Sequence, residues 1–242
     1  MALPQEKTPP KTNFGEMLTL LYGRPKIGKS TLLSNAPGAL FLATEPGLNS
    51  LEVYQIPITC WQEFNNAACD VLAGGHDFKS IIIDTADWAL NYCQQYICEQ
   101  WKIKHPGDLP RGKGWSLITT EFMRVVNSLT NSGYGVYITS HAKDEEVEIR
   151  TGTYTRTVPT LSGKSGEQIS GLVDIILFMD NDEYKDESGV VVQQTVLRSK
   201  PARNYLAGDR SKRLPDPFII EHRSGPEDWA ALCKAFNPFC DQ

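Results

Sequence analysis

The chain is 242 residues long, 40% hydrophobic and 22% charged, with a formal net charge of −5. That length fits one large α/β domain or two small ones, and the composition excludes a disordered or fibrous chain. The acidic balance leaves a nucleic-acid partner only a local basic patch, and apolar runs no longer than a strand exclude a helical membrane span.

Residues 1–14, MALPQEKTPPKTNF, have no apolar stretch behind their charges. They read as a flexible leader rather than a signal peptide, with one domain expected over 15–242. From there the pattern alternates. MLTLLYG (17–23) predicts a buried strand, and KSTLLSNA (29–36) a helix that Pro37 stops. ALFLATE (39–45) predicts a second strand, and 61–74 a helix with Trp61, Phe64, Ala68, Val71 and Leu72 at helical spacing. SIIIDT (80–85) is the third strand, 87–102 and 115–133 are helices, and YGVYITS (134–140) is the fourth strand. Continuously apolar strands between helices predict an α/β fold with a mostly parallel central sheet and helices on both faces. After residue 141 the texture turns polar over 143–168, then strands at 171–180 and 190–200 flank a turn at 181–189, and a last helix covers 226–236. Trp61, Trp88 and Trp101 fall at helical spacing and are expected in the core. Six cysteines, at 60, 69, 93, 98, 233 and 240, form no CxxC pair and have no histidine at finger spacing. They are expected to be reduced and mostly buried in a cytoplasmic protein.

The link between the first strand and the first helix is Gly23-Arg24-Pro25-Lys26-Ile27-Gly28-Lys29-Ser30, which satisfies G-x-x-x-x-G-K-[ST]. Its glycines let backbone amides curl round phosphate oxygens, and the helix N-terminus, continuing into Thr31, adds partial positive charge. Lys29 can reach the β- and γ-phosphates of ATP, and the Ser30 hydroxyl can ligate Mg²⁺. A second GKS, at 163–165, has Val158 where the upstream glycine belongs and reads as loop.

Three strand tips carry further candidates. Asp84 can hold the Mg²⁺ shell through water. Glu45 can orient or deprotonate the water that attacks the γ-phosphate, with a solvated loop glutamate as the alternative. His141 can touch the γ-phosphate and pass its presence to the polar tract behind it, with a structural histidine as the alternative. Asp87 stands where a GTPase D-x-x-G needs glycine, and no N/T-K-x-D follows the fourth strand, which excludes a GTPase. A small-molecule kinase stays open, with the basic 198–213 segment as its lid.

In the order LLYGRPKIGKST, LFLATE, SIIIDTADW, GKGWSLITTEFMRVVNSL, VYITSHAK and LRSKPARNYLAGDR, residues 15–222 resemble the RecA-type recombinase core. More narrowly, they resemble the core-only RecA-like ATPases of bacteriophages that act as single-strand annealing proteins, the Sak group. The resemblance implies that Glu45 is the catalytic glutamate, that His141 replaces a γ-phosphate-sensing glutamine, and that 143–168 contacts DNA. That tract carries Lys143, Arg150, Arg156 and Lys164 against five acids, so it is not overtly basic. Residues 197–213 carry Arg198, Lys200, Arg203, Arg210, Lys212 and Arg213 against Asp209 alone. This segment is a solvated face, a phosphate-backbone track, or, as the resemblance implies, a source of cations completing a neighbouring subunit's ATP site, with Lys200 and Arg203 foremost. Tyr154 and Tyr205 can stack on bases.

The expected protein is therefore an ATP- and Mg²⁺-dependent, DNA-stimulated ATPase that binds single-stranded DNA and promotes annealing or strand exchange. It would self-associate into a ring or filament, cooperate with a single-strand-binding protein, use no membrane, and reside in the cytoplasm, that of the bacterial host if phage-encoded. An ATPase acting on a protein partner and a P-loop kinase are the alternatives.

Overall fold

The computed structural model describes residues 3, 5–150, 152–161, 163–185 and 189–237. Leader residues 1, 2 and 4, residues 186–188 of the expected turn and Cys240 lie outside the described residues. The strands are β1 (Leu18–Gly23), β2 (Ala39–Ala43), β3 (Tyr54–Pro57), β4 (Ser80–Asp84), β5 (Gly135–Ile149), β6 (Gly152–Pro159), β7 (Ile175–Lys185), β8 (Val191–Arg198), β9 (Gly208–Asp209) and β10 (Phe218–Ile220). The helices are α1 (Lys29–Leu33), α2 (Trp61–Ala73), α3 (Ala86–Gln100), α4 (Lys113–Thr130), α5 (Gly163–Leu172) and α6 (Pro226–Phe236).

The sheet runs β10-β8-β7-β1-β5-β4-β2-β3, and every pair from β7 to β3 is parallel. Strands apolar on both faces force this arrangement, because each face needs its own cover of helices. Alternate residues serve the two sides. Leu20, Tyr22, Leu40, Leu42, Ile81, Ile83, Val136 and Ile138 pack with α2, α3, α4 and α5. Leu21, Phe41, Ile82 and Tyr137 pack with α1 and α6. Phe14, placed in the leader by its sequence context, is only 1% exposed and packs against Tyr137, Trp229 and Phe236. The domain therefore begins before residue 15, and truncating this ring would cost about 3–5 kcal/mol.

Several expectations are corrected. The first helix ends at Leu33, short of Ala36. The short strands β3, β9 and β10 carry too few residues for a periodic signal. Gly163-Lys164-Ser165 opens α5 rather than forming a loop. The fourth strand does not stop at Ser140 but runs on to Ile149 and pairs antiparallel with β6, turning most of the polar tract into a hairpin. Trp61 is buried, as its spacing predicts, but Trp88 and Trp101 are each 43% exposed. Among the described cysteines only Cys93 is buried, so mostly buried thiols are not what forms. Among the described residues, no helix is long and apolar enough to cross a membrane.

Candidate nucleotide site

The loop between β1 and α1 is shaped by two glycines. A Cβ on Gly23 would sit 2.5 Å from the carbonyl oxygen of Met179 in β7, so only a bare backbone fits there. Gly28 has φ +116°, a conformation open to glycine, immediately before the first helical residue. Lys29, 6% exposed, folds back over the loop and donates to the carbonyl oxygens of Gly23 (2.9 Å) and Arg24 (3.1 Å). Burial pulls its pKa below the ordinary lysine value, opposed by the carboxylates of Asp84, Glu45 and Asp87.

The parallel order β1-β5-β4-β2 gathers the other strand tips round this loop. Register places His141 opposite Gly23, and Asp84 opposite Ala43. Glu45 lies two residues past the end of β2. A cleft of about 520 Å³ results, lined by Lys29, Ser30, Thr31, Glu45, Asp84 and His141 among others. His141 Nε2 lies 3.2 Å from Glu45 Oε1. The Ser30 hydroxyl donates to Asp84 Oδ2 at 2.8 Å, and Thr139 donates to Asp84 Oδ1 at 2.5 Å. The set fits Mg²⁺ and a polyphosphate: a hard-oxygen pair, Ser30 and Asp84, stands beside a buried ammonium and the amides of a loop–helix junction. Ser30 and Asp84 would hold the metal, which supplies charge neutralisation between phosphate oxygens.

Asp87 is a site residue that sequence reasoning noticed only as a departure from a GTPase motif. Its carboxylate accepts from Ser140 Oγ (2.9 Å), the backbone N–H of His141 (3.0 Å) and Thr160 Oγ1 (2.6 Å). One side chain thus pins the start of α3, the His141 turn of β5 and the residue following β6. A second tie joins loop and hairpin directly. The Arg24 guanidinium pairs with Asp144, whose other oxygen accepts from Thr157 Oγ1 at 2.8 Å. No local pattern marks either link, because the partners lie 73 and 120 residues apart.

The basic candidates sit elsewhere, and none of Arg156, Lys164, Arg198, Lys200, Arg203 and Arg210 lines the cleft. Arg198 is answered within the chain by Asp182 (3.2 Å) and Asp180 (3.7 Å), and it stacks on Tyr205. Arg210 reaches Asp174 and the carbonyl of Gly171. The Arg203 guanidinium lies 4.3 Å over the ring of Tyr154, and Arg156 is half-buried. Lys164 and Lys200 are exposed. Tyr205 is 8% exposed against Phe178, which corrects its reading as a base-stacking residue. Arg210 lies far from the phosphate loop: its partner Asp174 accepts from the first N–H of β1, at the opposite end of that strand.

A surface that sequence reasoning missed lies round the α3–α4 connection. Trp101 and Trp115 are 43% and 48% exposed, Lys113 lies 4.3 Å over the Trp101 ring, and Lys102, Lys104 and Arg111 share the segment. Its signal was present as aromatic–basic interleaving, masked by the helical spacing of the tryptophans.

A family profile described as AAA domain matches residues 16–211. No curated protein matches the chain.

Proposed function

We propose that this chain, which belongs to the AAA domain family and is thereby a P-loop ATPase, couples ATP hydrolysis to single-stranded DNA and promotes annealing or strand exchange. The observation that carries the reading is the continuity of β5. The middle of the strand holds His141 in the phosphate cleft, and its far half rises as an exposed hairpin. A change in the cleft therefore has a mechanical route to an exposed part of the surface.

In this reading the loop amides and Lys29 hold the phosphates, and Ser30 and Asp84 orient the metal. Glu45 takes a proton from the attacking water, and His141, 3.2 Å from that carboxylate, senses the γ-phosphate. Trp101 and Trp115 offer faces for bases, and Lys102, Lys104, Arg111, Lys113 and Lys164 offer charge for the backbone. Lys200 and Arg203 do not line their own cleft, so any part they have in hydrolysis is played in a neighbouring copy of a ring or filament.

A protein-partner reading is favoured by one other feature. A largely apolar cavity of about 560 Å³, lined by Val173, Ile176, Pro201 and Leu214, opens beside Asp174. The deciding experiment is steady-state ATP hydrolysis with and without single-stranded DNA at two salt concentrations, with Lys29→Ala as the blank. Stimulation that fades with salt supports the DNA reading. A DNA-independent rate would shift the assignment to a protein-partnered ATPase.

A further inference from the structure

At the end of β1 remote from the phosphate loop, the fold leaves an opening that hydrolysis does not use. This cavity, of about 560 Å³, lies between the end of α5, the start of β7, the short strand β9 and the segment after β8. Val173, Ile176 and Leu214, none more than 9% exposed, form its floor. Gly208 in β9 belongs to the wall. Its backbone is not left-handed, and a Cβ there would meet no atom within 4 Å. Neither conformation nor close packing therefore requires a glycine. A strand glycine without such a reason weakens the strand, and it often marks the close approach of a ligand or another backbone.

The rim carries positive charge that the fold does not answer. Lys200 and Lys212 are exposed, and among the described residues neither ammonium makes a hydrogen bond or ion pair. The nearby carboxylates are engaged elsewhere. Asp209 accepts from the Ser211 hydroxyl (2.6 Å) and from the backbone N–H groups of Ser211 (2.8 Å), Arg213 (2.9 Å) and Leu214 (3.0 Å). These bonds close the turn that holds Lys212 at φ +58°, a left-handed backbone that persists only where its surroundings fix it. Asp216 accepts from the backbone N–H groups of Ser199 (2.7 Å) and Lys200 (3.2 Å). Asp174 accepts from the N–H of Leu18 at 3.3 Å and faces Arg210. Two free ammonium groups thus stand over an apolar floor, each on backbone fixed by a carboxylate.

We propose that this cavity docks an acidic peptide segment of a partner protein. One bulky apolar side chain of the segment enters between Val173, Ile176 and Leu214, and flanking Asp or Glu residues pair with Lys200 and Lys212. Nucleic acid fits less well. Among the described residues no aromatic ring lines the cavity, so a base would find nothing to stack on, and the floor offers it no polar side chain. The dock stands apart from the phosphate loop, so the inference goes beyond the single-stranded DNA reading and does not depend on it.

The test is panning of a phage-displayed random dodecapeptide library against the full chain, followed by fluorescence anisotropy with the enriched peptide. Peptides with Asp or Glu on both sides of Phe, Leu, Ile or Trp should be enriched. Replacing that apolar residue of the peptide by Ala should weaken binding about tenfold or more. Gly208→Phe, which puts a ring into the wall, should weaken it as much and leave ATP hydrolysis at the parent rate. Lys212→Glu, an exposed change that tests the dock even if Gly208→Phe does not fold, should weaken it about tenfold. A peptide with one acid changed to Lys should recover part of that loss. Lys29→Ala should lose hydrolysis and bind the peptide like the parent, so failure of the ATPase reading and failure of the dock are seen separately. No enrichment, enrichment of basic peptides, or parent affinity in both Gly208→Phe and Lys212→Glu would overturn the proposal. Loss of oligonucleotide binding or of self-association in Gly208→Phe, with no peptide enriched, would assign the cavity to nucleic acid or to a second copy and overturn it too.

Discussion

The phosphate cleft and the β5–β6 hairpin share one strand and are built on opposite terms. In the cleft, Lys29, Asp84, Thr139 and Ser140 are buried, and their side chains have partners drawn from neighbouring strand tips or the loop itself. In the hairpin, Asp144, Glu145, Glu146, Glu148 and Thr155 face solvent, and the antiparallel ladder holds the shape. Rearranging the first region would strand these groups, at a cost of about 1–3 kcal/mol for each buried polar group left unpartnered. The second can move without that penalty. A constrained cleft and an exposed hairpin on one strand are what the proposed coupling requires, and two polar ties, Asp87 and Arg24–Asp144, connect them.

Four substitutions probe that contrast, in falling order of effect. Glu45→Gln keeps the shape of the cleft but removes its base. Nucleotide affinity should stay at the parent value while turnover drops about 100-fold or more, measured by single-turnover hydrolysis. Parent-level hydrolysis would take Glu45 out of the chemistry.

Asp87→Ala attacks the connection. It strands the N–H of His141 and leaves the Ser140 and Thr160 hydroxyls only their longer 3.2 Å bonds to the His141 carbonyl, so chemical denaturation should show a loss of about 2–3 kcal/mol. ATP affinity should survive better than stimulation by DNA; proportional loss of the two would mean that Asp87 only supports the fold.

Trp115→Ala tests the proposed single-stranded DNA surface at the α3–α4 connection, which is separate from the hairpin. It should weaken binding of a labelled single-stranded oligonucleotide about tenfold, the loss expected for one stacked base, with basal hydrolysis unchanged. An unchanged oligonucleotide affinity would remove the α3–α4 surface from the interface.

Arg24→Ala should have the smallest effect, about a few tenths of a kcal/mol, because both partners are largely exposed. The Arg24 hydrogen bond, followed by that from Thr157, holds the Asp144 carboxyl below its usual pKa. The tie is therefore present above the ordinary carboxylate range and lost as pH falls through the depressed value. Stability of the parent should fall towards that of Arg24→Ala over this acid window; a constant difference between the two would show that the pair contributes nothing.

Taken by itself, the sequence determined the features that depend on near neighbours. The phosphate loop is a contiguous run whose glycine positions follow from backbone sterics. The apolar strands declare a sheet covered on both faces, and Asp84 and Glu45 could be assigned to strand tips because each ends such a run, whereas His141 proved to lie in mid-strand. Tertiary structure alone decided what depends on distant partners. It set the strand order that faces His141 with Glu45, and it joined Asp87 to Thr160 and Arg24 to Asp144. It also turned Trp88 and Trp101 outward while burying Tyr205. Helical spacing fixes which residues share a face but not whether another layer covers it. A cation's position in the chain likewise says nothing about which carboxylate, ring or cleft the fold will bring to it.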